Sequence, residues 1–122
     1  MIIYLSGPMT DIEQLNHPEF NRVAKLLYEK GYEVVNPAEI EQPDTSHATC
    51  MREDFKEMLN RGVDTLALLK GWENSKGARG EIFMANLLGM QIVDAYTLEP
   101  IEVDVQLSIR VIESQPRGEG QR

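Results

Sequence analysis

The sequence predicts a layered α/β domain on a mainly parallel sheet, and three observations predict it. Four short apolar runs alternate with stretches of helical periodicity, the order that builds βαβ units. The third run, VDTLALLK, is apolar almost throughout, as a strand covered on both faces should be. Glycines at 31, 62 and 89 follow the helical stretches, where a left-handed residue ends a helix.

The first strand is IIYLSG, residues 2–7. Phe20, Val23, Ala24, Leu26, Leu27 and Tyr28 then give the spacing of one buried helical stripe, and Gly31 ends it. YEVVNP is the second strand, stopped by Pro37. Residues 38–49 hold Glu, Pro, Asp, Ser and Thr and are longer than a compact connection needs, which suggests a lid or a rim. Residues 50–61 make a second helix with Met51, Phe55, Met58 and Leu59 inward, closed by Gly62. VDTLALLK is then the central strand. GEIFMANLLG, residues 80–89, is the third helix and MQIVDA the fourth strand. From Ile101 to Val111 apolar and polar residues alternate, the two-residue period of a half-buried strand, either returning antiparallel or pairing with another subunit. A terminal helix is the competing reading, but alternation would spread its apolar residues around the cylinder. The division is therefore a domain at 1–95, an extended C-terminal extension at 96–113 and a disordered tail at 114–122.

Composition narrows the function. The 122 residues are enough for one domain with one core, and 42% apolar with 26% charged residues is the balance of a water-soluble globular chain. A net charge of −8, with no Lys/Arg cluster before the tail, leaves no cationic track for a nucleic-acid polymer. No apolar run approaches the roughly 20 residues of a membrane span. One cysteine, Cys50, cannot form an internal disulfide, and the N-terminus lacks the pattern of a signal peptide. A cytoplasmic location is expected. His17 and His47 have no ligand-like spacing, so no metal is expected.

Ligands of parallel sheets bind beyond the carboxyl ends of the strands. Three loops fall there: YLSGPMT, NPAE and GWENSKGARGE. The first lacks GxGxxG, and nothing matches GxxxxGK[ST], so neither common phosphate loop is present. Glu81 falls in the first turn of the third helix, where the helix dipole favours a charged carboxylate. First-turn acids also occur for that reason alone. Gly77 and Gly80 would let a ligand approach the backbone, and free amides there could bind an anion. Taken singly, Asp54, Asp64, Tyr4 and Trp72 are ordinary charges or packing residues, although the Tyr4 hydroxyl could reach a ligand.

Taken together, YLSGPMT, NPAE, MREDFKEML, VDTLALLKGWENSKGARGE and ANLLGMQIV resemble the nucleoside 2-deoxyribosyltransferase-like family, most closely its short bacterial and phage members. The resemblance spans about residues 1–95, and the loop ending in Glu81 is its most specific part. It implies a flavodoxin-like fold and cleavage of the N-glycosidic bond of a nucleoside or nucleoside 5′-monophosphate. Glu81 would then be the nucleophile, Tyr4 its orienter and Asp54 the acid that protonates the leaving base. Ser75, six residues before Glu81, would face the 5′ group; a serine there, in place of the transferases' aspartate, favours a 5′-phosphate. Lys76 and Arg79 would add positive charge, Gly77 would admit the ligand, Trp72 would lie near it, and Ser6 and Gly7 would supply polar contacts. Pro8 and Met9 depart from the more polar first loop of the phosphate-binding branch. The resemblance further implies no cofactor and a homodimer or larger oligomer. The alternatives are a non-catalytic nucleotide-binding or sensing module and an assembly protein whose glycine loop only makes a turn.

Overall fold

The computed structural model describes residues 1–104. Four strands, β1 (Ile2–Ser6), β2 (Glu33–Val35), β3 (Thr65–Leu68) and β4 (Gln91–Asp94), form an all-parallel sheet in the order β2-β1-β3-β4. Between them run α1 (His17–Glu29), α2 (His47–Asn60) and α3 (Lys76–Leu87). The architecture is α/β and consistent with a flavodoxin-like three-layer fold.

Alternation along β1 divides the core. Ile3 and Leu5 join Phe20, Val23 and Leu27 of α1 on one face. Tyr4 joins Met58 of α2 and Ile82 and Ala85 of α3 on the other. β1 and β3 are central, and Leu66, Ala67, Leu68 and Leu69 are all buried, which explains why the third apolar run loses its alternation. The chain leaves β1 for β2 on one side and returns to β3 on the other, so the ends of β1 and β3 flank the crevice where the strand order reverses.

Gly31, Gly62 and Gly89 have φ of 92°, 67° and 71°, the left-handed backbone expected after each helix. Several expectations are corrected. Leu26 and Tyr28 of α1 and Leu59 of α2 face outward, 46%, 73% and 55% exposed. Each residue along a helix turns the side chain by about 100°, so Phe20, Val23 and Leu27, with the partly buried Ala24 beside them, stay on the core-facing stripe of α1 while Leu26 and Tyr28 turn off it. α2 begins three residues early because the Ser46 side chain accepts from the Thr49 amide and caps it. That shortens the 38–49 loop, whose first residues belong to a 3-10 turn at Pro37–Glu39. α3 starts at Lys76 rather than Gly80, capped by Ser75.

After β4 the chain turns and comes back. Asp94 N donates to Glu99 O and Ile101 N to Ile92 O, both at 2.9 Å, with an antiparallel bridge between Val93 and Pro100. The antiparallel return thus begins along β4, and Ile101 and Val103 pack on the α2–α3 side of the core. The rest of the predicted C-terminal strand and the tail lie outside the described residues. No helix among the described residues is long and apolar enough to cross a membrane.

Candidate active site

Beyond the ends of β1 and β3 lies a cavity of about 450 Å³, within the roughly 300–1,000 Å³ of small-ligand pockets. The loop after β1 contributes Gly7 to Asp11, α2 contributes His47, Cys50, Met51 and Asp54, and Asn74 to Ala78 with Glu81 come from the loop before α3 and from α3 itself.

Glu81 is the sixth residue of α3, not in its first turn, and only 5% exposed. The helix dipole fades within one turn, so burial decides its state instead. The Tyr4 hydroxyl donates to Glu81 Oε2 at 2.6 Å and the Ser6 hydroxyl to Oε1 at 2.7 Å. Both hydroxyls come from one face of β1, two residues apart, as strand periodicity requires. Burial nonetheless pushes the carboxyl up to about 8; Tyr4 and Ser6 pull down, and the nearby Asp54 pushes up again. The expectation that Glu81 lies in the first turn, kept charged by the helix dipole, is therefore corrected. Tyr4, wholly buried and beside two carboxyls, is held well above its ordinary range, so it remains a proton donor to Glu81.

Asp54, on the cavity wall, is also pushed up, to about 6, first by burial, against hydrogen bonds from Gln42, Tyr4 and Glu81. Two coupled carboxyls titrate as one system. Between roughly pH 6 and 8 the pair holds a single proton, which either carboxyl can carry.

The glycines have a different reason from the one expected. A Cβ on Gly80 would lie 3.0 Å from Met51 Cε, so this glycine eases the packing of α3 on the Met51 side chain of α2, whereas one on Gly77 would make only ordinary contact with Met51 Sδ at 3.7 Å. Gly77 still lines the cavity, whereas Gly80 does not. At Gly7 a Cβ would sit 2.8 Å from Cβ of Leu69, the residue just after β3. Gly7→Ala is expected to cost about 1–3 kcal/mol, read as a lower urea midpoint with an unchanged slope; full stability would show that the crevice floor gives way easily.

Ser75 Oγ accepts from Ala78 N at 3.1 Å and donates to Gly7 O at 3.4 Å. It is a helix cap that also lines the cavity, as does Lys76. Trp72 and Arg79 are not brought there. They line a separate cavity of about 470 Å³ with Ile82, Phe83 and Val103. Arg79 precedes Glu81 by two residues, about 200° round the helix. Asp64 is remote as well: it accepts from Ile2 N at 3.2 Å and from the Thr65 hydroxyl at 2.7 Å. Sequence reasoning missed Gln42, whose Nε2 donates to Asp54 Oδ1 at 3.4 Å; its only signal was membership of the 38–49 loop. It also missed Asn74, His47 and Met51 as lining groups, because no local pattern marks them. Among the described residues, no group of three or more His, Cys, Asp and Glu side chains is placed to hold a metal.

Compared with known protein families, residues 1–94 match one family model, described as a domain of unknown function, DUF4406. No curated protein matches the chain.

Proposed function

We propose that this chain, which belongs to the DUF4406 family, cleaves the N-glycosidic bond of a (deoxy)nucleoside or nucleoside 5′-monophosphate. The observation that carries the reading is Glu81, held from behind by the buried hydroxyls of Tyr4 and Ser6, lining a nucleoside-sized cavity whose wall bears a second titratable carboxyl, Asp54.

In the reactive form the pair's proton is on Asp54. Two hydroxyl donors then satisfy both oxygens of the Glu81 carboxylate, which attacks the anomeric carbon. The C1′–N bond breaks, its electron pair goes to the base nitrogen, and the base takes the Asp54 proton. A covalent glycosyl–Glu81 ester remains. Water, deprotonated by Asp54, or a second base then attacks C1′ and frees the Glu81 carboxylate, giving hydrolysis or transfer. The 5′ end points toward Ser75 and Lys76, and a 5′-phosphate is compatible with a hydroxyl cap and a cation there. The chemistry needs no metal or organic cofactor. The enzyme acts in the cytoplasm on small nucleosides or nucleotides rather than on a polymer or at a membrane.

Chromatography of bases released from deoxynucleosides and their monophosphates, with and without acceptor base, tests the reading. Release that needs an acceptor makes the protein a 2-deoxyribosyltransferase, and release without one a hydrolase. No release from any substrate by folded protein, with tight nucleotide binding by calorimetry, would replace the enzyme with a nucleotide-binding or sensing module. The reading also includes a homodimer or larger assembly, for which Leu59, Leu87 and Leu88, 55%, 65% and 49% exposed, supply apolar surface. Light scattering is expected to give at least twice the 13.9 kDa chain mass; a monomer at micromolar concentration would remove that part.

A further inference from the structure

Gln42, on the segment joining β2 to α2, lies beside the cavity wall. Its Nε2 reaches Asp54 Oδ1 at 3.4 Å. Its Oε1 is buried, and no protein group among the described residues donates to it. A buried acceptor left without a donor is unfavourable. A glutamine amide has a donor end and an acceptor end of nearly the same shape, so half a turn about its last torsion exchanges them.

A group that gives up a proton and later takes one back must be held in two states. Ionised Asp54 only accepts hydrogen bonds; protonated Asp54 has an O–H to donate. Gln42 Nε2 matches the first state and Gln42 Oε1 the second. A lysine at this position could serve only the first.

We propose that Gln42 is a positioning residue that holds the Asp54 carboxyl in both protonation states by turning its side-chain amide. This rests on the reading of Asp54 as the acid and base of the glycosidic reaction. Several other groups also act on the Asp54 proton. Tyr4 faces Asp54 from β1 and Glu81 from α3, while Glu53 and Cys50 lie along its own helix. His47, Lys76 and Asp11 line the same cavity. Tyr4 also donates to Glu81 at 2.6 Å, and Gln42 is the side-chain amide in hydrogen-bond contact with Asp54. The donated Gln42 bond draws the Asp54 carboxyl down against its burial, as a partner of the ionised state must.

Carbon-13 NMR of the labelled full chain tests this without any substrate. On acidification, the Gln42 side-chain carbonyl carbon is expected to move downfield with the midpoint of the Asp54 carboxyl carbon, because Oε1 gains a hydrogen bond. In Asp54→Asn that movement should vanish. A Gln42 carbon that stays flat while Asp54 titrates overturns the proposal. In the base-release assay, Gln42→Met is expected to lower kcat about tenfold with KM within twofold; an unchanged kcat would reject the positioning role even if the amide follows the proton. Should no substrate release a base, the NMR arm still decides: a following amide keeps the Gln42–Asp54 coupling while the glycosidic reading falls.

Discussion

Glu81→Gln is expected to lower base release by at least about 10³-fold, and above neutral pH to make the folded chain more stable than the wild type. The first effect follows from the mechanism. An amide of the same size fills the same space but cannot form the glycosyl ester, so no slower route through that position survives. The second follows from burial. The carboxyl's ordinary value of 4.5 applies to the unfolded chain, while in the fold it is pushed up to about 8. The folded state therefore binds the proton more tightly. Below about pH 4.5 both states are protonated and the native carboxyl carries no penalty. As pH rises toward 8, the unfolded chain ionises freely while the fold resists, so the stability that protonation supplied is lost. A group displaced this far loses on the order of a few kcal/mol across that window. Asp54 acts in the same direction over a lower range, from its ordinary 3.8 to about 6. The neutral amide of the variant escapes the penalty, although it must rearrange one of the two bonds to Tyr4 and Ser6, an offset of about 1 kcal/mol. Urea unfolding at pH 5 and pH 8.5 is the check. The variant's advantage should grow between the two; a difference that does not change with pH would show that Glu81 is ionised in the fold throughout. Activity and stability are thus set against each other at one carboxyl.

Asp54→Asn is expected to reduce base release by about 10²–10⁴-fold, and the size should depend on the leaving group. Without a proton to give, the variant must expel the base as an anion, so natural bases suffer most. A nucleoside with an acidic, electron-poor leaving group should recover much of the rate. The wild-type profile should be bell-shaped, with limbs near the apparent values of about 6 and 8 at which the carboxyl pair gains or loses its single proton. In Asp54→Asn only one carboxyl remains, the coupling disappears, and one limb should go. Equal losses for good and poor leaving groups would assign Asp54 to binding rather than to proton transfer. Single-turnover rates on two such substrates, across pH 5–9, separate the cases.

Local pattern was enough for the element order, the parallel sheet and the central place of VDTLALLK. Each depends on neighbours a few residues apart: apolar spacing marks a helix and the centre of its buried stripe, and Gly31, Gly62 and Gly89 mark helix ends because left-handed backbone is cheap there. Element starts were less legible, since α2 and α3 begin at Ser46 and Ser75, side-chain caps whose contacts are made only once the helix forms.

The site is another matter. The sequence singled out Tyr4, Ser6 and Glu81, but Glu81 meets the two hydroxyls across separations of 77 and 75 residues. The register that sets Tyr4 opposite Leu66 and Ser6 opposite Leu68 is decided by the sheet. How deeply Glu81 sinks, and so whether it holds a proton, depends on the packing of α3 over that sheet rather than on its place along the helix. The same rotation about α3 carries Arg79 to the other cavity with Trp72, and the closure of the segment before α2 lays Gln42 against Asp54. A chain can spell its own periods, because they are local sums; it cannot spell which distant side chains will share one buried proton, because that is settled by the tertiary contacts that exclude water from them.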